Sequence, residues 1–364
     1  MILMNDFKAE PFEVREAMLV AARRVLESGW YVLGNELLGF EKRWSEICGV
    51  SHGVGVGNGM DAIEIILRSL NIGSGDEVIT TPMTAFATVL AILRAGAIPV
   101  LADIDPQAAL LSLESVERCI SKKTKAVLLV HLYGQVRAMT EWQSFCSSSG
   151  VQLIEDCAQA HLASLQGMVA GSFGVAGAYS FYPTKNLGAP GDAGILVTGN
   201  KSLADRARNL RNYGQSVRYH HPEIGLNSRL DELHAAMLSE RMNWLHTFTQ
   251  RRQQIADAYS AGILNKGVVQ LVQPEETAAH VYHLYVITCE NREKLQAHLH
   301  QHQVQTLIHY PVPVQYQKPC QNLKKDPMGL KVSEHHAATC LSLPCHPQMS
   351  DSDIAKVIDA VNTF

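Results

Sequence analysis

A chain of 364 residues has room for about two domains with substantial cores. Apolar residues at 46% and charged residues at 18% exclude a disordered chain, and 31 basic against 35 acidic residues, a formal charge of −4, leave no electrostatic footprint for nucleic acid. Met1-Ile2-Leu3-Met4-Asn5-Asp6 carries no basic leader and no apolar run approaches bilayer length, so the expectation is a cytoplasmic protein that meets neither membrane nor nucleic acid.

Residues 11 to 48 read as helical, with Val14, Met18, Ala21, Ala22 and Val25 at helical spacing before a break at Ser28-Gly29. Trp30 to Gly34 is a bulky apolar loop, either a packing plug or a wall of a site. Gly53-Val54-Gly55-Val56-Gly57-Asn58-Gly59-Met60-Asp61 reads as a short strand entering a glycine-rich turn, and Ile63, Ile66, Leu67 and Leu70 continue it as a helix ended by Asn71 and Gly73. Such a turn lets backbone N–H groups and a helix N-terminus approach a phosphate, although a plain strand-to-helix turn would read the same. The pattern is neither G-x-G-x-x-G nor a Walker A loop, so it favours neither a dinucleotide nor a nucleoside triphosphate.

From 76 to 197 the runs Glu77 to Thr80, Pro99 to Ala102, Ala126 to Val130 and Val151 to Ile154 alternate with helical patterns, which predicts a parallel sheet covered on both faces. Ligands collect at the C-terminal ends of such strands, where Thr84-Ala85-Phe86 and Glu155-Asp156-Cys157-Ala158-Gln159 fall. A buried acid there needs a cation. Glu155 and Asp156 project to opposite faces, and periodicity leaves open which one enters a site.

Tyr179 to Gly188 is an aromatic run that breaks at Pro183 and delivers Lys185 into a glycine-flanked loop. Desolvation there would lower the lysine pKa and make its amine a nucleophile for Schiff-base chemistry; the alternative is a loop lysine facing water. Beyond Asn227-Ser228-Arg229-Leu230-Asp231, the spacing of Leu230, Leu233, Met237, Trp244, Phe248 and Ile255 predicts one helix or a pair leaving the first domain. The boundary is drawn between residues 1–245, a large α/β domain with an N-terminal helical segment, and 246–364, a smaller α+β domain. In the latter, Val281 to Thr288 reads as a strand, Asn291 as the cap of a helix through His302, and Gln305 to Tyr310 as a strand stopped by Pro311. A final helix starts near Ser350. The eight cysteines contain no C-x-x-C pair and read as buried thiols. His298, His300, His302 and the adjacent His335-His336 read as surface residues, and no metal site is expected.

A lysine for an aldehyde, an anion cradle, an aromatic for a ring face and a carboxylate for a pyridine nitrogen together fit pyridoxal 5'-phosphate. On Glu27 to Gly34, Gly57 to Ala62, Val130 to Gly134, Glu155 to His161, the lysine segment, Arg211 to Gly214, Asn227 to Leu233 and Ile308 to Pro311, essentially the whole chain resembles the DegT/DnrJ/EryC1/StrS sugar aminotransferases, with the aspartate-aminotransferase fold (fold type I). The resemblance implies that Lys185 forms the Schiff base with the cofactor and shuttles the proton, Asp156 pairs with the pyridine nitrogen and Gln159 binds the ring hydroxyl. It also implies that Ser180 with backbone of Gly59 and Met60 holds the phosphate, Phe86 covers the ring, and Asn227 reaches the phosphate of a neighbouring subunit, hence a homodimer with shared sites.

Many relatives have Ser or Thr where Met60 stands, which leaves only backbone there; Cys157 and Leu162 replace small residues as packing changes. A leucine-like residue at position 60, Arg-Asn-Tyr-Gly and Ile-His-Tyr-Pro resemble C-3 rather than C-4 aminotransferases. The implied reaction is amination of a nucleotide-linked ketosugar in deoxysugar or cell-surface polysaccharide biosynthesis. The preferred substrate is a dTDP-3-keto-6-deoxyhexose, with glutamate as donor. C-4 amination or a UDP-linked 3-keto-uronate are alternatives. A sugar dehydrase would carry histidine in place of Lys185, and a non-catalytic regulator would have lost part of the constellation. Tyr31, Tyr182, His309 and Tyr310 are candidates for the sugar pocket, and Arg229 for a carboxylate or pyrophosphate; the alternatives are interface packing and an Arg229 pair with Asp231 or Glu232.

Overall fold

The computed structural model describes residues 1–364. Helix α1 (Phe12–Ser28) ends where Gly29 turns left-handed, at φ 65°, and α2 (Asn35–Ile47) follows the Trp30 loop. Then come β1 (His52–Val56), α3 (Gly59–Ser69), β2 (Glu77–Thr80), α4 (Phe86–Arg94), β3 (Ile98–Leu101), α5 (Leu113–Cys119), β4 (Thr124–Val130), α6 (Met139–Ser149) and β5 (Gln152–Asp156). A small hairpin, β6 (Ser164–Leu165) and β7 (Met168–Val169), precedes β8 (Ala176–Ser180), β9 (Gly194–Thr198) and α7 (Lys201–Leu210). Helix α8 (Glu232–Gly262) leads to β10 (Val269–Gln270), β11 (Tyr285–Thr288), α9 (Arg292–Gln301), β12 (Lys324–Lys325), α10 (Lys331–Thr339), β13 (Cys340–Leu343) and α11 (Asp351–Asn362).

The main sheet has eight strands in the order β1-β9-β8-β5-β4-β2-β3-β12. From β8 to β12 every pair is parallel, and β9 runs antiparallel to both of its neighbours. Alternation along each strand feeds two cores. On β4, Val127 and Leu129 join α2, α6 and α8 on one face, while Ala126 and Leu128 join α3, α4 and α7 on the other. Two helical layers therefore cover the sheet, as the continuous apolar runs require. This is the α/β architecture expected from the sequence.

The helix after Asp231 is single and unbroken for 31 residues, so the drawn boundary at 245/246 falls inside it. Its first half buries Ala235, Leu238, Met242 and Leu245 against the main sheet, and its second half buries Ile255, Ala256 and Tyr259 against a three-stranded sheet, β10-β11-β13. The two units also exchange chain: Ile2 bridges Val304, and β12 pairs with β3 at the edge of the main sheet. Gln305 to Tyr310 is no strand, a correction to the sequence reading. Only Leu307 bridges Ser342, because His309 and Tyr310 turn away to bond Ser342 and Gln159 instead of alternating across a ladder. The strand expected from Val281 is confined to β11, since Tyr282 is left-handed at φ 43° and the preceding residues pair with the chain after β4. Asn291 makes no side-chain cap bond, whereas Ser350 caps α11 reciprocally with Asp353. All eight cysteines are free and all but Cys119 buried. His336 is buried too, correcting its placement at the surface. No helix is long and apolar enough to cross a membrane.

Candidate active site

The site gathers at the C-terminal ends of β4, β5 and β8 and at the N-termini of α3 and α4. Asn58 caps α3 by accepting the Asp61 N–H at 2.8 Å, which leaves the N–H groups of Gly59 and Met60 without an intrahelical acceptor. Ser180, the last residue of β8, lies against this terminus: a Cβ at Gly59 would stand 2.7 Å from the Ser180 Cβ, so only glycine permits the approach. Two free N–H groups, a helix N-terminus and a hydroxyl make a receptor for a phosphate. Three residues that the sequence reading passed over support it. Asp61 accepts from Ser228 Oγ at 2.7 Å and ion-pairs Arg94 at 3.2 Å, a guanidinium it shares with Glu64 at 2.8 Å.

The strand β5 runs on through both acids, two residues further than expected, and alternation separates them. Glu155 points to the face of Leu153, where it accepts the N–H groups of Gly171, Phe173 and Gly174 at 2.8 Å each and meets His131 Nε2 at 2.8 Å. Backbone donors and a histidine thus satisfy it where the sequence reading expected a cation. His131, Glu155 and Cys157 cluster closely enough to suggest a metal, but both Glu155 oxygens are already engaged. Asp156 points to the other face. It accepts from Thr88 Oγ1 at 2.8 Å and the Ala158 N–H at 3.1 Å, with Thr84 behind Thr88 at 2.7 Å, and its charge acts on Lys185.

Lys185 lies in the turn after β8, its N–H bonded to Tyr182 O at 2.8 Å. The next two residues pin the turn: Asn186 Nδ2 donates to Val281 O at 3.0 Å, and the Leu187 N–H to His161 Nδ1 at 3.0 Å. Burial pulls the Lys185 amine down to about 8, against an opposing pull from Asp156. Burial, then the Lys185 charge, also pulls His161 down to about 3 and His309 to about 4, so neutral imidazoles surround the amine near pH 7. A lysine that is partly neutral there can attack an aldehyde.

Gln159 accepts the Tyr133 N–H at 2.6 Å on Oε1 and donates from Nε2 to the Tyr310 hydroxyl at 3.2 Å. Burial, then Asp156, raises the Tyr310 phenol to about 12, so it stays protonated. His309 Nδ1 meets Ser342 Oγ at 2.8 Å. Phe86 opens α4 and is partly buried beside Val89 and Leu101. Together the phosphate receptor, Asp156, Gln159 and Lys185 offer a partner for each polar part of pyridoxal phosphate.

The remaining candidates lie at the rim of this cluster or outside it, Tyr182 adjoining it through a carbonyl that accepts the Lys185 N–H and an N–H that donates to Ser180 Oγ at 3.3 Å. Tyr31 and Tyr182 are 52% and 51% exposed, so neither is enclosed by its own chain. Asn227 is exposed, held only by a backbone bridge to Asn212. Arg229 pairs with neither Asp231 nor Glu232: it bonds Asn212 Oδ1 at 3.1 Å and stacks on Tyr213 at 5.2 Å. Those acids are otherwise engaged. Asp231 caps α8, and Glu232 accepts the N–H groups of Gly34, Glu36 and Leu37, capping α2 from another element.

Comparison with known proteins fits this geometry. The model of the DegT/DnrJ/EryC1/StrS aminotransferase family matches residues 13–362. Over 364 residues, 100% of this chain and 99% of the relative, the sequence is 42% identical to a dTDP-3-amino-3,6-dideoxy-alpha-D-galactopyranose transaminase of Aneurinibacillus thermoaerophilus. The crystal structure of Streptomyces venezuelae DesV in complex with a ketimine intermediate superposes with a TM-score of 0.96 at 40% identity, covering 100% of this chain and 98% of that one. NtdA of Bacillus subtilis, with bound pyridoxamine phosphate, superposes at 0.89 and 28% identity, covering 97% of this chain and 82% of that one.

Proposed function

The chain belongs to the DegT/DnrJ/EryC1/StrS aminotransferase family, and on that premise we propose that it transfers an amino group from glutamate to C-3 of a dTDP-linked 3-keto-6-deoxyhexose. It is an enzyme of the pyridoxal-phosphate-dependent aminotransferase type with the fold type I architecture. The sugar reading draws on the dTDP-3-amino sugar transaminase that matches over the full chain. One observation carries the chemistry: Lys185, its amine brought down to about 8 by burial, is set in the field of Asp156.

Bound in this site, the cofactor supplies an electron sink for the carbon that loses its proton. The chain's own residues do the rest. Lys185 Nζ would hold the cofactor's aldehyde and, once the donor's amine takes its place there, would accept the donor Cα proton and hand it back, as base and then acid, with the roles reversed for the ketosugar. Asp156, oriented by Thr88 and the Ala158 N–H, would pair with the pyridine nitrogen. Gln159 offers its amide NH2 toward the ring hydroxyl, because Tyr133 N–H occupies its oxygen. Ser180 and the N–H groups of Gly59 and Met60 would hold the phosphate, and Phe86 would cover the ring.

Tyr31, Tyr182, His309, Tyr310 and Arg229 border the sugar nucleotide, and Asn227 completes the site of a second copy. Exposed Phe12, Leu19, Val20, Leu26, Trp30, Tyr31 and Leu38 on α1, α2 and their loop support that homodimer, since so many apolar side chains rarely face water in a monomer. The test is to incubate the purified enzyme with glutamate and a panel of 3-keto and 4-keto dTDP- and UDP-sugars. The expected product is the 3-amino dTDP sugar; exclusive C-4 amination, or turnover of UDP-sugars alone, overturns the substrate assignment.

A further inference from the structure

Tyr133 is 1% exposed, yet its backbone is left-handed, at φ 63° and ψ −3°, a conformation a bulky side chain adopts only when its surroundings hold it there. Each of its polar groups is used. Its N–H donates to Gln159 Oε1 at 2.6 Å, its carbonyl accepts the Leu284 N–H at 3.4 Å, and its hydroxyl lies 2.7 Å from His309 O and 2.9 Å from His336 Nε2.

The directions of these bonds follow from which atoms can donate. A carbonyl only accepts, so the Tyr133 hydroxyl proton lies on His309 O. The hydroxyl oxygen must then accept, and neutral His336 carries its proton on Nε2. An N–H only donates, so Gln159 turns its oxygen to Tyr133 and its NH2 to Tyr310. His336 is 4% exposed, and burial, with the adjacent His335, pulls it down to about 4, consistent with the neutral tautomer this chain needs.

We infer that Tyr133, backed by His336, is a positioning residue that ties the cofactor-facing amide of Gln159 to the substrate-facing segment His309-Tyr310, an inference that rests on the transaminase reading above. Its main chain orients the amide and its hydroxyl holds the segment, so it adds a second link between the two beside the direct bond from Gln159 Nε2 to the Tyr310 hydroxyl. Removing the hydroxyl alone leaves the amide bond in place and loosens the segment, which then rests on the bonds from His309 Nδ1 to Ser342 and from Gln159 to Tyr310. The consequence therefore falls on the ketosugar and spares the amino donor.

Tyr133→Phe is the test, read on the two half-reactions separately by cofactor absorbance. The donor half-reaction is expected within about twofold of wild type, and the ketosugar half-reaction slowed by at least about tenfold with a raised KM. His336→Leu is expected to reproduce this split, and His336→Gln, which keeps an N–H donor, to restore most of the rate. Amide hydrogen exchange, which needs no substrate, is expected to quicken over 305–313 in Tyr133→Phe and stay unchanged over 155–161. Wild-type behaviour on both readouts, or equal slowing of both half-reactions with uniform loss of protection, overturns the inference. A wild-type protein that shows no donor-driven absorbance change refutes the transaminase reading instead, and hydrogen exchange still decides for Tyr133.

Discussion

Asp156, Gln159 and Asn186, the polar groups around Lys185, are all buried and hold partners in their own chain, whereas Tyr31, Tyr182 and Asn227 stand exposed and nearly free. The inner wall is fixed before anything binds, so its geometry costs no reorganisation when charge moves. Under the proposed function, substrate and a second copy close the outer wall. Substitutions inside should therefore act on the chemical step, and those outside on binding and assembly.

The largest expected effect is Lys185→Ala, which removes the proton carrier: turnover should fall by about 10⁴-fold or more, measured as amino-sugar formation, with the fold intact by circular dichroism. Wild-type-like turnover would remove the inner wall from the chemistry altogether. Asp156→Asn keeps the shape and deletes the charge, for an expected loss of about 10²-fold. The same variant sharpens the electrostatics. Reconstitution of cofactor-free enzyme needs the neutral amine, so its rate should rise with pH through about 8 in the wild type. Because Asp156 raises that value, Asp156→Asn should move the midpoint lower; a midpoint near the free-lysine value in the wild type would contradict the burial argument.

Beneath the inner wall, buried Arg211 bonds Glu41 and donates to Gly55 O at 2.8 Å, tying α2 to β1. Arg211→Met leaves the Glu41 charge unpaired and should lower stability by about 3–5 kcal/mol in denaturant titration, although neither residue is among those assigned to the cofactor. On the outer wall, Asn227→Ala should weaken cofactor binding, read as a raised Kd for pyridoxal phosphate, and at limiting cofactor its homodimer should be nearly inactive, which makes mixtures informative. Mixed with Lys185→Ala, it should restore about a quarter of wild-type activity, because a hybrid dimer holds one site free of both changes. No recovery on mixing would place Asn227 in its own subunit's site. Tyr182→Phe, the smallest change, should raise the ketosugar KM by less than about tenfold and leave the donor half-reaction alone.

Much of this contrast was legible from residue order. The alternation of apolar runs and helices announced the covered parallel sheet, the glycines before Met60 announced the turn into α3, and the aromatic run broken at Pro183 announced an unusual lysine. Arg229 was not legible in the same way: its sequence neighbours Asp231 and Glu232 looked like partners, yet both cap helix termini, one of them on α2 nearly two hundred residues earlier in the chain. His336 and Thr88 gave no local signal at all, because their partners Tyr133 and Asp156 are far away in sequence.

The sequence by itself determined the kinds of element, their order and the residue types brought to the strand ends, since propensity and periodicity are local properties. Between Glu155 and Asp156 periodicity was silent and the family resemblance named Asp156; the tertiary structure supplies the physical reason. A period of two guarantees that adjacent acids part, but which face holds the site depends on what packs there. The Gly171 to Gly174 backbone absorbed Glu155, and Thr88 at the start of α4 turned Asp156 toward Lys185.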